Sequence, residues 1–216
     1  MSYIVFLYED QLYHSKAEMP GTFVIGSNKK DDMVVSALGQ GEVRIKENKK
    51  GIVSLECSKF VEFEDQDLKK DAMVVISVDH RSAIYYSDDY QEDCARLKLP
   101  YNCSITFGRN EDNNVIIPNG FVGRKHFLLT CENGVVHVED LKSANGLFLN
   151  GKKISKAKLQ SGDILSIFHI NIRLLNGELI FDNVGPKLRR TSGATWTACA
   201  RPTTRMSTRL SRDLIL

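Results

Sequence analysis

Short runs of apolar and β-branched residues recur along this chain, with turn-forming residues between them. They fall at residues 3–8, 22–25, 42–45, 52–55, 73–78 and 82–86, then at 104–107, 126–130, 135–138, 146–149, 164–168, 170–174 and 178–181. Strand-like runs spaced by about 8–12 residues, with no sustained 3.6-residue period, predict an all-β sandwich or barrel. The turn chemistry agrees. Asn-Gly pairs at 133–134, 150–151 and 176–177 each separate two strand-like runs. A type I′ hairpin turn needs positive φ at both central residues, which Asn-Gly supplies. The pairs at 119–120 and 145–146 read as loop residues instead.

The pattern also repeats. Residues 23–35 (FVIGSNKKDDMVV) lie over 105–117 (ITFGRNEDNNVII) at an offset of 82, and 51–56 lie over 134–139 at an offset of 83. Residues 2–7 align loosely with 82–87, and Pro20 pairs with Pro100. Matches in the same order predict two copies of one fold, at 1–79 and 80–184. After Val184 strand alternation stops, and Thr, Ser, Ala and Arg dominate. Residues 185–216 therefore read as a basic, disordered tail or linker. Within it, Arg189-Arg190-Thr191-Ser192 has the look of a basophilic kinase target, a match frequent by chance.

Composition narrows the class. Hydrophobic residues make up 42% of the chain and charged ones 26%, ordinary for a protein with a packed core. The net charge is +2, yet 187–216 carry seven basic side chains and one acid, leaving 22 basic and 26 acidic residues in 1–186, a net of −4. An acidic body lacks the broad basic face of a nucleic-acid binder. The five cysteines (Cys57, Cys94, Cys103, Cys131, Cys199) are odd in number and show no CxxC spacing, which favours reduced thiols in a cytosol over a disulfide framework or zinc site. The N-terminus lacks a basic n-region, and no stretch approaches 18 apolar residues, so neither a signal peptide nor a membrane span is expected. The Asn102-Cys103-Ser104 sequon is then a chance match. His14, His80, His137 and His169 are scattered, and no metal or cofactor is expected.

The second repeat carries a denser constellation. Phe107-Gly108-Arg109 is followed by Val122-Gly123-Arg124-Lys125-His126. Then come Asp140-Leu141-Lys142-Ser143-Ala144-Asn145-Gly146, Asn150-Gly151 and finally Leu159-Gln160-Ser161-Gly162-Asp163. This resembles the forkhead-associated (FHA) pattern of Gly-Arg, Ser-Arg-x-His, Asp-Leu-x-Ser-Thr-Asn-Gly and a late Leu-x-x-Gly-Asp, over roughly 75 residues. The resemblance implies an eleven-stranded β-sandwich whose loops at one end read a partner, often a phosphothreonine peptide. The chemistry suits phosphopeptide recognition. An arginine fork matches phosphate oxygens in shape and charge, and loops on a rigid sandwich are where such residues belong.

Carried over residue by residue, the resemblance makes Arg109 a phosphate-side ligand and Arg124 the arginine after the loop serine. It makes Asn145 the contact to the ligand backbone and His126 an architectural residue. Ser143 and Lys125 join the expected ligand-binding set, and Gly108 and Gly146 the structural one. Two positions depart from the pattern: Gly123 stands where the family has its phosphate-binding serine, and Ala144 where it has threonine. Hydrogen bonds to charged groups contribute about 1.5–3 kcal/mol each. Losing two removes roughly 3–6 kcal/mol, on the order of a hundredfold or more in affinity. Plainer roles stand beside these: an ion pair from Arg109 to Glu111 or Asp112, a loop cap at Asn145-Gly146, and a loop-stabilising hydroxyl at Ser143 rather than a nucleophile. The first repeat departs further. Ser27 replaces the arginine, no Arg-x-His lies near 41–45, and no Ser-x-Asn-Gly follows Cys57, so that copy is expected to be structural or a docking surface.

Enzyme motifs fail. Gly146 to Lys153 imitates GxxxxGK, but Lys153 occupies the Ser/Thr position in a hairpin, not at a helix N-terminus. GxSxG and HExxH are absent. A degenerate copy followed by a semi-degenerate one is similar to the N-terminal cytosolic region of the FtsK/SpoIIIE-type ATPases of Gram-positive type VII secretion systems. That resemblance implies a non-catalytic, cytoplasmic docking module with weak or no phosphothreonine dependence. Its partners would be a protein or an acidic or phosphorylated peptide, including other secretion-system components, and membrane contact would come only through segments outside this chain. The alternative is a phosphothreonine-peptide adaptor beneath a Ser/Thr kinase. Nucleic-acid binding through the arginine-rich tail is the third class; it would collapse with salt.

Overall fold

The computed structural model describes residues 2–19, 21–48, 53–58, 66–68, 72–76, 82–184, 187–188 and 195–198. Among them the only helical element is a 3₁₀ turn, Ser36–Leu38. The first half contains β1 (Ser2–Tyr8), β2 (Gln11–Ala17), β3 (Gly21–Gly26), β4 (Met33–Val34), β5 (Val43–Glu47), β6 (Val53–Cys57), β7 (Gln66–Leu68), β8 (Ala72–Val75) and β9 (Ser82–Ser87). Then come β10 (Ala95–Lys98), β11 (Cys103–Gly108), β12 (Val115–Ile116), β13 (Phe127–Glu132), β14 (Val135–Asp140), β15 (Leu147–Leu149) and β16 (Lys152–Ile154). The remaining strands are β17 (Lys156–Leu159), β18 (Ile164–Ile167), β19 (Ile170–Leu175), β20 (Glu178–Asp182), β21 (Lys187–Leu188) and β22 (Thr195–Ala198). The protein is all-β, and β10 to β20 supply the eleven strands expected of the second copy.

The 82-residue offset is real in three dimensions. The parallel pair β3–β4 joins Ile25 to Met33 and Gly26 to Val34, and β11–β12 joins Phe107 to Val115 and Gly108 to Ile116. All three Asn-Gly hairpin turns also form, with φ of 51 and 79 at Asn133-Gly134, 50 and 82 at Asn150-Gly151, and 49 and 79 at Asn176-Gly177. Two cores result. One gathers Ile4, Phe6, Phe23, Ile25, Ile45, Leu55 and Tyr86. The other gathers Leu97, Ile105, Phe107, Phe127, Leu129, Leu147 and Phe181. Phe107 and Phe127 stack at 4.3 Å with an interplanar angle of 8°. Each such buried ring contributes about 1.5–3 kcal/mol by leaving water.

Two expectations are corrected. Residues 82–87 do not open the second copy. They form β9, which closes the first, lying antiparallel beside β1 with Tyr3 opposite Ser87 and Tyr8 opposite Ser82. The topological partner of β1 is β10, which pairs with β20 as β1 pairs with β9. Residues 2–7 and 82–87 looked alike for a different reason, since both strands are buried on both faces. Ile4, Phe6, Ile84 and Tyr86 enter the first core, while Tyr3, Val5, Ala83 and Tyr85 enter a third cluster with Leu12, Phe148 and Phe168. That burial erases the alternation a one-sided strand would show. The segment 185–216 is not wholly a tail either. Within it β21 pairs with β12, and β22 pairs with β10 through Trp196 opposite Leu97. A β-prone Thr-Trp-Thr-Ala run meeting an open sheet edge accounts for this. The rest of that segment, including residues 189–192, lies outside the described residues.

The third cluster is a seam between the halves. One sheet runs through both, in the order β22-β10-β20-β19-β18-β15-β16-β2-β1-β9-β8. It crosses at the Asn150-Gly151 turn, where the Leu12 amide donates to the Gly151 carbonyl at 2.8 Å and the Lys153 amide to the Asp10 carbonyl at 3.1 Å. Polar groups also line the seam, and several of them bond one another. Asn171 donates to the Tyr3 hydroxyl at 2.9 Å and accepts from Ser166 at 2.7 Å, and Tyr3 and His14 Nδ1 share a bond of 2.5 Å. Burial pushes the Tyr90 hydroxyl up to about 12, and its ring lies 4.1 Å from that of Tyr3.

Candidate functional site

Three loops meet at one end of the second sandwich, following β11 (109–114), preceding β13 (117–126) and preceding β15 (141–146). Their backbones are tied directly. The Arg109 amide donates to the Gly123 carbonyl at 2.9 Å and the Asn110 amide to the Arg124 carbonyl at 3.3 Å. Gly108 makes that approach feasible, because a Cβ there would land on the Arg124 carbonyl oxygen and within 2.6 Å of Asn113 Nδ2. Asn113, fully buried, donates from Nδ2 to the Asn110 carbonyl at 2.9 Å and the Arg124 carbonyl at 2.7 Å.

His126 joins the other two loops. It is fully buried, and its Nδ1 accepts from the Gly123 amide at 2.9 Å. An accepting Nδ1 leaves the proton on Nε2, which donates to the Gly146 carbonyl at 3.1 Å. Burial holds its pKa below the usual value, the Gly146 carbonyl opposing that shift. The histidine is therefore a neutral brace. Gly146, at φ 76, turns the chain so that its carbonyl meets the ring. Ser143 donates from Oγ to Asp140 Oδ1 at 2.6 Å, and its amide reaches Oδ2 at 3.2 Å, so its hydroxyl is spent on the loop. Asn145 donates from Nδ2 to the Phe121 carbonyl at 2.7 Å.

The charged groups are arranged differently from the plainer alternatives. Arg109 and Arg124 are exposed, and among the described residues neither guanidinium has a hydrogen bond or ion pair. Lys125, not Arg109, pairs with Asp112, at 3.3 Å. Two mutually close loops thus offer two uncommitted arginines, with Gly123 next to Arg124 in the chain and Ala144 on the neighbouring loop. Ala144 is exposed, and a Cβ at Gly123 would meet the Lys125 carbonyl at 3.3 Å and His126 Nδ1 at 3.5 Å. Sequence reasoning missed Asn113 and Phe121. Asn113 carried one signal, its alignment with Asp31 in the repeat; the bonding of Phe121 carried none.

The corresponding rim of the first copy has a different character. Val43 stands opposite Ile25 as Phe127 stands opposite Phe107. The Ser58 amide reaches the Glu42 carbonyl as the Leu141 amide reaches that of His126. Ser27, Gln40 and Glu42 therefore occupy the places of Arg109, Arg124 and His126. Together with Asp31 they line a polar cleft of about 300 Å³. Glu42 is paired with Arg44 at 2.7 Å, and the Ser27 hydroxyl is spent on the Gly39 carbonyl. No group of three or more metal-ligating side chains exists among the described residues, nor does a helix long and apolar enough to cross a membrane.

Comparison with known proteins agrees with this geometry. Residues 105–168 match the family model for the FHA domain. The ABC transporter ATP-binding/permease protein Rv1747 of Mycobacterium tuberculosis is 33% identical over 76 residues, covering 35% of this chain and 9% of that protein. The glycogen accumulation regulator GarA of the same species is 30% identical over 70 residues, 32% of this chain and 43% of GarA. The chain thus spans less than half the length of these relatives. Among solved structures, the N-terminal FHA domain of EssC, a component of the bacterial type VII secretion apparatus, superposes with a TM-score of 0.69 at 18% identity. The superposition covers 90% of this chain and all of that one. An FHA domain is a recognition module for proteins and phosphopeptides, not a catalytic one. Residues 105–168 thus match the FHA domain, and the fold of the chain as a whole is similar to that of the EssC N-terminal region.

Proposed function

We propose that the chain is a non-catalytic docking module that grips an acidic or phosphorylated segment of a protein partner through Arg109, Arg124 and Asn145. The observation that carries this is the pair of exposed, uncommitted guanidiniums on two loops tied by the Arg109 amide to the Gly123 carbonyl, with His126 bracing the second of them to the Asn145 loop. Because Gly123 and Ala144 remove two hydroxyl donors, recognition depends weakly or not at all on phosphothreonine. The body serves as the cytosolic docking region of a type VII secretion ATPase of the FtsK/SpoIIIE type, and any membrane contact comes through segments outside this chain. The likeness to the EssC region over 90% of the chain supports that assignment. The two domains divide within residues 88–94, between β9 and β10, and the first, with Ser27 and Gln40 at the arginine positions, is structural or a second docking surface.

The test is calorimetric titration with a phosphothreonine peptide library, its unphosphorylated twin and a glutamate-substituted twin. Docking predicts that the phosphorylated and glutamate forms bind within about tenfold of each other, both above the neutral twin. A phosphate-dependent gain on the order of a hundredfold or more would instead establish a phosphothreonine adaptor. No binding by any of the three removes the rim as a contact site.

A further inference from the structure

The loop carrying Arg124 is held by its own domain at its base, and at its crest it also meets the first domain. Phe121 sits at the crest, its amide donating to Asn119 Oδ1 at 2.9 Å and its carbonyl accepting from Asn145 at 2.7 Å. Its ring stacks on Phe168 at 5.2 Å and meets the rings of His169 at 5.0 Å and Tyr85 at 6.0 Å edge-on. Tyr85 belongs to β9, in the first domain, and stacks flat on His169 at 4.3 Å with an interplanar angle of 8°. Asn119 Nδ2 and His169 Nε2 stand 3.3 Å apart. An unbroken chain of contacts therefore runs from β9 through the aromatic group to the Phe121 carbonyl, and from there to Asn145.

The backbone gives a second, independent indication. Phe168 and His169 form the two-residue turn between β18 and β19, with Ile167 opposite Ile170. Phe168 has φ 55, and His169 is not among the positive-φ residues. A two-residue hairpin with positive φ at its first position only is type II′, where glycine is preferred. A bulky aromatic in the left-handed region is strained and persists only when its surroundings over-determine it. At Phe168 those surroundings are the seam, where the ring is 3% exposed and touches both Tyr85 and Phe121.

We propose that the first domain acts as a buttress for the recognition rim of the second. In this role Tyr85, Phe168 and His169 clamp Phe121, which in turn fixes the orientation of Asn145. These are positioning residues; none of them is placed against the partner. The inference rests on the rim being the contact site, so its test begins with a measurement that needs no partner. Amide hydrogen exchange is followed in the full chain for wild type, Tyr85→Ala, Tyr85→Phe and Phe168→Gly. Exchange at Val122, Gly123 and Gly146 should rise about tenfold in Tyr85→Ala and Phe168→Gly, while Leu129 and Val138 inside β13 and β14 keep wild-type protection. Tyr85→Phe, which retains the ring, should behave as wild type. Phe168→Gly is the sharper variant, because glycine suits the turn and only the lost ring can loosen the loop. Unchanged exchange at Val122, Gly123 and Gly146 in Tyr85→Ala overturns the buttress whatever Phe168→Gly shows, because Phe168 belongs to the second domain. So does an equal rise at Leu129 and Val138, which would reduce these residues to general stability. Titration with the phosphorylated and glutamate peptides should then show about tenfold weaker binding for Tyr85→Ala. If wild type binds neither peptide, the docking function fails while the exchange result still decides the buttress.

Discussion

At the scale of single residues, two positions set how the rim reads phosphate. Gly123 has no positive φ and Ala144 is exposed, but a Cβ at Gly123 would lie 3.3 Å from the Lys125 carbonyl. The double change Gly123→Ser with Ala144→Thr therefore requires that carbonyl to give by a few tenths of an ångström. It should raise phosphothreonine-peptide affinity on the order of a hundredfold, measured by titration, with little change for the glutamate twin. Two histidines add an acid limit. Burial holds His126 below 6.5 and His14 down to about 4; His14 as a residue is half-buried, but its Nε2 is closed off from solvent. The unfolded chain takes up protons near pH 6.5, whereas the folded one resists until the pH is lower. Stability is therefore full above pH 6.5 and declines as pH falls from 6.5 toward 4. Chemical denaturation at pH 7.5, 6 and 5 should show a falling midpoint, with a shallower fall in His126→Gln from its own lower starting value.

Among the elements, the hairpin turns separate a shared backbone cost from a seam-specific one. Gly151 and Gly177 have φ of 82 and 79 in equivalent Asn-Gly turns, so alanine at either incurs about 1 kcal/mol for its left-handed backbone. A Cβ at Gly177 meets nothing, but one at Gly151 would lie 2.7 Å from the Leu12 carbonyl. Gly151→Ala should cost about 1–3 kcal/mol more than Gly177→Ala, by denaturant midpoint. This contrast also marks what was legible in the sequence. The turn type could be read from Asn-Gly alone because positive φ is a local demand. So could the β3–β4 and β11–β12 repeat, whose spacing and glycine are local too. The place of β9 could not, because a strand buried on both faces loses the period that assigns it to a side. At the site, the FHA resemblance of the sequence pointed to Arg109, Arg124, Asn145 and His126, which the structure places on three adjoining loops. Phe121 was not legible, since its importance arises from Tyr85 and Phe168, distant in the chain, and the pairing of β21 and β22 depends on sheet edges that no local pattern reveals.

At the scale of the whole molecule, a sheet shared by both halves and a seam closed by Tyr3, Val5, Leu12, Ala83, Tyr85, Phe148 and Phe168 leave little room for independent melting. Scanning calorimetry should give one transition with matching calorimetric and van't Hoff enthalpies; two resolved peaks would mean the seam is weak. The uncommitted arginines bring a further consequence for any partner. Guanidiniums stay protonated throughout the physiological range, so the two arginines present the same charge at pH 5.5 as at 7.5. A phosphate monoester, by contrast, gains its second negative charge near pH 6, whereas a carboxylate is fully ionised across the interval. The titration curve of the complex therefore reports on the partner's chemistry: affinity that climbs with pH identifies a phosphate in the cleft, and a flat profile identifies glutamate or aspartate.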